Sequence, residues 1–207
     1  MKKLLIATKN PGKLFEFATF FSGLPLKVVS LKDVGITENV EEDGTTYEEN
    51  SQKKARFYAK KSGLPAVSDD GGIEVDGLDG KPGVYSKRYF GKNGKEPTDE
   101  EIIAEMTKLI AALPESKRGA TFRTVVTLGL PDGTVYSVTD FVRGVLRKPK
   151  LKLLKGYPYR SFFFLPELNK YYHESELTES ELTLYNHRYK AVEQLKPIIK
   201  KIVINGS

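Results

Sequence analysis

Between Ala120 and Arg147 the chain reads as two long strands joined by one turn. Phe122, Val126, Leu128 and Leu130 alternate with polar neighbours, Pro131-Asp132-Gly133 supplies turn chemistry, and Thr134 to Arg147 returns as a second β-biased run. A lone hairpin is marginal in water, so this one asks for further strands beside it and helices to cover its apolar side.

Both are legible. Leu14, Phe17, Phe21 and Leu24 fall at helical spacings after Lys9-Asn10-Pro11-Gly12. Thr46 with Glu49 and Thr98 with Glu101 are capping boxes. The first opens a helix to about Ser62, before Gly63 and Pro65; the second opens one that carries Ile102, Met106, Leu109 and Leu113 and ends at Pro114. A last helix holds Ala191, Leu195, Ile199 and Ile202, with Pro197 expected to kink or shorten it. Lys3 to Thr8, Lys27 to Leu31, Ala66 onward and Phe162 to Leu165 complete the strands, and Glu38 to Thr46 and Gly91 to Pro97 are loops. With no repeat or flexible linker, residues 1–207 read as a single mixed α/β domain, with room for two lobes.

Composition narrows the class. Hydrophobic residues make up 39% and charged residues 29%, as in soluble globular proteins. The absence of Cys excludes disulfides and thiolate metal sites. The apolar run at the N-terminus is too short for a signal peptide or a membrane span, so a cytoplasmic protein with no membrane partner is the default. The net charge of +6 raises a nucleic-acid reading. Its one local concentration, Arg143, Arg147, Lys148, Lys150, Lys152 and Lys155, reads more simply as a solvated loop. No aromatic and basic stacking motif accompanies it, so a small polyanionic substrate outranks a polymer.

Two stretches carry chemistry. In Ala66-Val67-Ser68-Asp69-Asp70-Gly71-Gly72 an apolar run delivers two acids into what reads as a tight turn at the end of a strand. Alternation places Ser68 and Asp70 on one face and turns Asp69 to the other, which leaves Asp70 as the acid that reaches a ligand. Taken alone, Asp-Asp-Gly-Gly is equally an ordinary polar turn. Thr8-Lys9-Asn10-Pro11-Gly12-Lys13 joins a strand to a helix N-terminus, where backbone N–H groups favour an anion. Thr8, Asn10 and Lys13 each donate hydrogen bonds to phosphate, although a capped turn with a surface Lys is the simpler reading of that stretch by itself.

Taken in order, Thr8, Asn10 and Lys13, then Glu41-Glu42-Asp43-Gly44-Thr45 with Glu49-Asn50 and Lys54-Ala55, then Ser68-Asp69-Asp70-Gly71-Gly72 with Pro82-Gly83-Val84-Tyr85-Ser86-Lys87-Arg88-Tyr89, and finally Asn186-His187-Arg188, resemble the inosine triphosphate pyrophosphatase family over essentially the whole chain. The resemblance implies a mixed, elongated β-sheet flanked by helices in two lobes with a central cleft. It also implies a Mg2+-dependent homodimer that cleaves non-standard purine nucleoside triphosphates (ITP, dITP, XTP) to the monophosphate and pyrophosphate. By the same resemblance Glu42 is a metal ligand. Asp70 is close to metal and water, either directly or through water, and acts as general base. Lys54 is catalytic. Thr8, Asn10, Lys13 and Ser68 bind substrate together with Tyr159, and His187 and Arg188 address the purine's 6-oxo edge; Arg160, where the chain leaves the family, is open to three readings, pointing into solvent, binding a phosphate or donating to a base carbonyl, the last two making it a substrate-binding residue. Tyr85, Ser86 and Arg88 fall near the family's cleft wall and dimer contact, while His173 reads as an ordinary loop residue.

The chain departs from the family in two places. Where Gly-Phe-Gly-Tyr-Asp-Pro is usual it has Gly156-Tyr157-Pro158-Tyr159-Arg160-Ser161, so a cation replaces an acid. Leu182 stands where Lys is usual. These leave base choice open, with the same reaction on another base, as Maf-type enzymes perform on pyrimidines, and a catalytically weakened nucleotide-binding module as alternatives.

Overall fold

The computed structural model describes residues 1–92, 94–149, 156–173 and 175–206. Lys150, Lys152 and Lys155 of the basic run lie outside them. Seven strands form one mixed sheet in the order β2-β1-β3-β4-β5-β6-β7. They are β1 (Lys2–Ile6), β2 (Leu26–Ser30), β3 (Ala66–Val75), β4 (Gly119–Gly129), β5 (Val135–Leu146), β6 (Phe163–Leu165) and β7 (Lys170–Tyr171). β1 runs parallel to β2 and β3, and β6 runs antiparallel to β5 and β7. The five α-helices among the described residues are α1 (Pro11–Phe21), α2 (Tyr47–Ser62), α3 (Asp99–Ala112), α4 (Glu179–Tyr185) and α5 (His187–Ile199).

Contacts group the chain into two compact units. The first comprises Met1–Asp70, Thr124–Asp140 and Arg188–Ser207; the second comprises Gly71–Arg123 and Phe141–His187. In the first, Leu4, Ile6, Phe17, Phe21, Val126, Leu128, Ala191 and Leu195 form one apolar cluster, and Leu5, Val29, Tyr58 and Ala66 anchor another. In the second, Ile73, Val75, Ile102, Met106, Phe122, Phe162 and Phe163 form the core.

The capping boxes at Thr46 and Thr98 are both made, and α2 stops at Gly63 in the left-handed conformation. A third capping box, Thr178 with Glu181, opens α4, a helix not anticipated from the sequence although its cap spacing is the same. The hairpin turn closes with Gly133 N–H donating to the Leu130 carbonyl and Thr134 N–H to Asp132. β4 is buried along most of its length rather than alternating, because its Thr hydroxyls have internal partners: Thr127 accepts from Ser51 at 2.8 Å and meets Ser137 at 3.0 Å.

Two expectations are corrected. β3 does not turn at Gly71-Gly72. It continues to Val75, because Ile73 and Val75 are fully buried and favour an extended chain into the core. Gly72 serves close packing instead, since a Cβ there would lie 2.3 Å from Ser86 Oγ and 2.4 Å from the Gly83 carbonyl oxygen. At the C-terminus the α-helix stops at Ile199, two residues after Pro197, and passes into a π-helical stretch at Lys200–Ile204. The altered winding buries Val203 where the α-helical spacing pointed to Ile202.

Candidate active site

Asp69 and Asp70 sit in the middle of β3, where alternation sends them to opposite faces. Ser68 and Asp70 both face α2, as the spacing requires. The Ser68 hydroxyl donates to the Ser51 carbonyl at 2.6 Å, and Asp70 Oδ2 accepts from Asn50 Nδ2 at 3.0 Å. Ser68 is almost fully buried, so it fastens β3 to α2.

α2 lies tight against the sheet because Gly129 of β4 has no side chain; a Cβ there would lie 2.7 Å from the Ala55 backbone. That approach fixes Lys54, one residue earlier. Its ammonium donates to Glu42 Oε1 at 3.1 Å and to the Asp69 carbonyl at 2.7 Å, and lies 4.0 Å from Asp70 Oδ1. The acidic loop is held from the same helix. Asn50 Oδ1 accepts from Gly44 N–H at 2.8 Å while its amide nitrogen serves Asp70, so one carboxamide ties the Glu42 loop to the strand acid.

The electrostatics follow from burial and neighbours. Burial pushes the Asp70 pKa above the ordinary carboxylate value, with Glu42 adding to the rise and Lys54 opposing it. For Lys54 burial disfavours the ammonium, yet Asp70, Glu42 and Asp69 outweigh it and hold the pKa above the ordinary lysine value. Asp69 is the reverse of Asp70. Burial would raise its pKa, but Lys13, Arg188 and Lys54 hold it well below the usual carboxylate range.

On the other face of β3, Asp69 Oδ2 meets Lys13 Nζ at 2.9 Å and accepts from Arg188 Nε at 3.0 Å. Arg188 also donates through Nη1 to Glu16 Oε2 at 2.8 Å. Lys13 and Glu16 are one turn apart on α1. The loop before them is built as a capped helix start. Asn10 Oδ1 accepts from Gly12 N–H at 2.8 Å and Lys13 N–H at 3.1 Å, and Thr8 Oγ1 accepts from Asn10 N–H at 3.2 Å. The Asn10 oxygen is thereby spent on the cap, so donation to a ligand falls to its amide nitrogen.

The remaining residues singled out in the sequence lie in the second unit. Tyr159 is buried and donates to the Ser86 carbonyl at 2.7 Å, and burial, helped by Tyr89, raises its pKa. Ser86 accepts from Ile73 N–H at 2.9 Å and donates to the Gly83 carbonyl at 2.6 Å, a turn-fastening role. Arg160 stacks its guanidinium 4.2 Å above the Tyr157 ring and 5.1 Å from that of Tyr172. The Tyr172 hydroxyl lies 3.3 Å from His187 Nδ1, and the imidazole stacks on Phe122 at 5.7 Å, nearly parallel. Leu182 packs against the apolar core.

His173 lies in the loop after β7, as read, and is buried there, with Nδ1 accepting from Ser175 N–H at 3.1 Å. Arg143 is engaged by Asp76 and Thr121, and Arg147 stacks 3.5 Å above Phe164, while both remain exposed to solvent. Alternation turns Asp69 away from Asp70 and gives no sign of the cations on its own face, and Glu16 belongs to no motif in the sequence. The signal for Glu16 was its spacing of three from Lys13 on the same helix.

A model of the Ham1 family matches residues 4–198. Relatives include the dITP/XTP pyrophosphatase of Geobacter sulfurreducens, 40% identical over 95% of this chain and 96% of that protein, and its counterpart in Thermoanaerobacter pseudethanolicus, 37% identical over 96% and 97%. Among solved structures, a HAM1 protein from Coxiella burnetii superposes with a TM-score of 0.80 at 31% identity, covering 97% of this chain and 100% of that one. A nucleoside-triphosphatase/dITP/XTP pyrophosphatase from Mycobacterium abscessus gives 0.70 at 33% identity, covering 94% and 99%. With matches spanning nearly its whole length in both sequence and fold, the chain belongs to the Ham1 family.

Proposed function

We propose that this protein is a nucleoside triphosphate pyrophosphohydrolase that converts dITP, ITP and XTP to the nucleoside monophosphate and pyrophosphate. The observation that carries the reading is the buried Asp70, its pKa raised, beside Lys54, Glu42 and Asn50. A carboxylate tuned upward is a better base than one in water. The names of the Geobacter and Thermoanaerobacter relatives supply the substrate class.

Asp70 takes a proton from water as its oxygen bonds to the α-phosphorus, and the bond from that phosphorus to the bridging α–β oxygen breaks. Pyrophosphate leaves. Lys54, countered by both Glu42 and Asp70, stands ready to offset negative charge developing on the phosphoryl oxygens. Lys13, Thr8 and the Asn10 amide hold phosphate, and His187 and Arg188 address the 6-oxo edge. A site that pairs that carbonyl discriminates against adenine, which leaves its donors unmatched.

Glu42 and Asp70 converge on one ammonium, at 3.1 and 4.0 Å, so their carboxylates face a common point. Among the described residues no three acids or histidines gather as a metal cage. Two carboxylates plus water and substrate oxygens suit Mg2+, which keeps several waters and binds through few protein ligands. When bound there, Mg2+ supplies charge neutralisation and Lewis acidity.

The same reading carries a homodimer and a cytoplasmic address. Among the described residues no helix is long and apolar enough to cross a membrane, and analytical ultracentrifugation tests the dimer. The function is tested by a panel of dITP, ITP, XTP, dTTP and ATP with magnesium, with the phosphate product identified. Pyrophosphate from the first three and little turnover of the rest is expected. A preference for dTTP points to the Maf-type reaction, and binding without turnover to a nucleotide-binding module; either overturns the proposal.

A further inference from the structure

Three cations in the first unit come from three helices: Lys13 from α1, Lys54 from α2 and Arg188 from α5. All three end on one residue of β3. Asp69 Oδ2 takes Lys13 at 2.9 Å and Arg188 at 3.0 Å, and the Asp69 main-chain oxygen takes Lys54 at 2.7 Å. The Asp69 side chain is only 2% exposed and that of Arg188 7%, against 21% for Lys13. Water therefore contributes little to orienting Arg188. Its guanidinium is held at two points by two anions, Asp69 at Nε and Glu16 at Nη1. Such a grip fixes both direction and plane of the fork before any ligand arrives.

We infer that Asp69 is a positioning residue, whose carboxylate aims Lys13 at the phosphates and Arg188 at the base and whose carbonyl anchors Lys54, so that cations from three helices are preset for the nucleotide. This rests on the function proposed above and adds to it a residue that acts through others. Orientation fixed in advance lowers the barrier without adding attraction. The arrangement has a cost. An anion lodged among the cations weakens their pull on a polyphosphate, so Asp69 trades affinity for geometry.

That trade separates positioning from a merely structural role. Asp69→Asn is expected to lower kcat for dITP roughly a hundredfold, the scale of a misplaced reacting geometry. Its affinity for inorganic tripolyphosphate, measured by calorimetry, is expected to stay the same or tighten. A structural residue would lose binding and turnover together, and that parallel loss would overturn the inference. In a double-mutant cycle with Lys13→Gln the two changes are expected to be strongly non-additive in kcat/KM; independent, multiplying effects would also refute it.

Asp69→Glu covers the case in which the amide variant does not fold. It keeps the charge but shifts it by a methylene, so kcat is expected to fall with tripolyphosphate affinity unchanged, whereas wild-type kcat overturns the proposal. The unmodified protein's own pyrophosphate release from dITP reports separately on the underlying function, so the two readings fail independently.

Discussion

Replacing Asp70 by Asn removes one negative charge and the proposed base while keeping the side chain's shape. The Asn oxygen can still accept from Asn50, whose amide nitrogen lies 3.0 Å from Asp70 Oδ2, so the tie to the Glu42 loop survives. Turnover should nevertheless fall by about a hundred to ten thousandfold, the range for a positioned general base, or about 2.7–5.4 kcal/mol in the barrier. The same substitution should raise stability. Burial and Glu42 lift the Asp70 pKa above its unfolded value, so the native state binds the proton more tightly. Stability then declines as pH rises from the unfolded pKa through the native one, and ionised Asp70 is a burden at neutral pH. A neutral Asn lifts that burden. Pyrophosphate release from dITP gives the kinetic half, and thermal melting at pH 7 with a chelator present gives the other. Near-normal turnover would remove Asp70 as the base, and a variant that melts well below the wild type would show that its ionised carboxylate stabilises the fold.

Glu42→Gln should raise the magnesium concentration needed for half-maximal rate, with excess magnesium partly restoring turnover; activity equally low, or unaffected, at every magnesium concentration removes Glu42 from the metal. Arg160→Asp should lower the XTP-to-ITP ratio of kcat/KM about tenfold, or about 1.4 kcal/mol, because a guanidinium only donates and xanthine offers an extra carbonyl. An equal fall with both substrates would assign Arg160 to phosphate, and no change would leave it without a role in binding. Asp69 has its pKa depressed by Lys13, Arg188 and Lys54 against the effect of burial, so its ion pairs contribute fully above the unfolded carboxylate pKa and fade as pH falls toward the native value. The stability gap between wild type and Asp69→Asn in urea should therefore be widest near neutrality and narrow in acid below about pH 4; a gap that stays constant into strong acid would contradict this.

Local signals predicted local structure well. Capping boxes at Thr46 and Thr98 and the turn at Pro131-Asp132-Gly133 were readable because each is closed by bonds a few residues apart. Gly72 was misread as a turn residue because its partner, the Gly83–Ser86 segment, is distant in sequence and only packing reveals the approach. The short β7, bonded to β6 by two paired positions, carried too little alternation to stand out. At the candidate site, strand periodicity put Ser68 and Asp70 toward α2 and Asp69 away. The ion pairs of Asp69 were not legible, because its partners on its own face, Lys13 and Arg188, lie 56 residues before it and 119 after it. Periodicity gives the direction of a side chain but not what waits there. Arg160 could be seen to break a pattern, but its stacking on Tyr157 and Tyr172 depends on how the rings fold back.

In the proposed chemistry water, activated at Asp70, attacks the α-phosphorus. Hydrolysis of dITP in water enriched with oxygen-18, followed by mass spectrometry of both products, tests it directly. One labelled oxygen is expected in the monophosphate and none in pyrophosphate. Label in the pyrophosphate would place the attack at the β-phosphorus, and release of labelled orthophosphate would place it at the γ-phosphorus; either result contradicts the role assigned to Asp70.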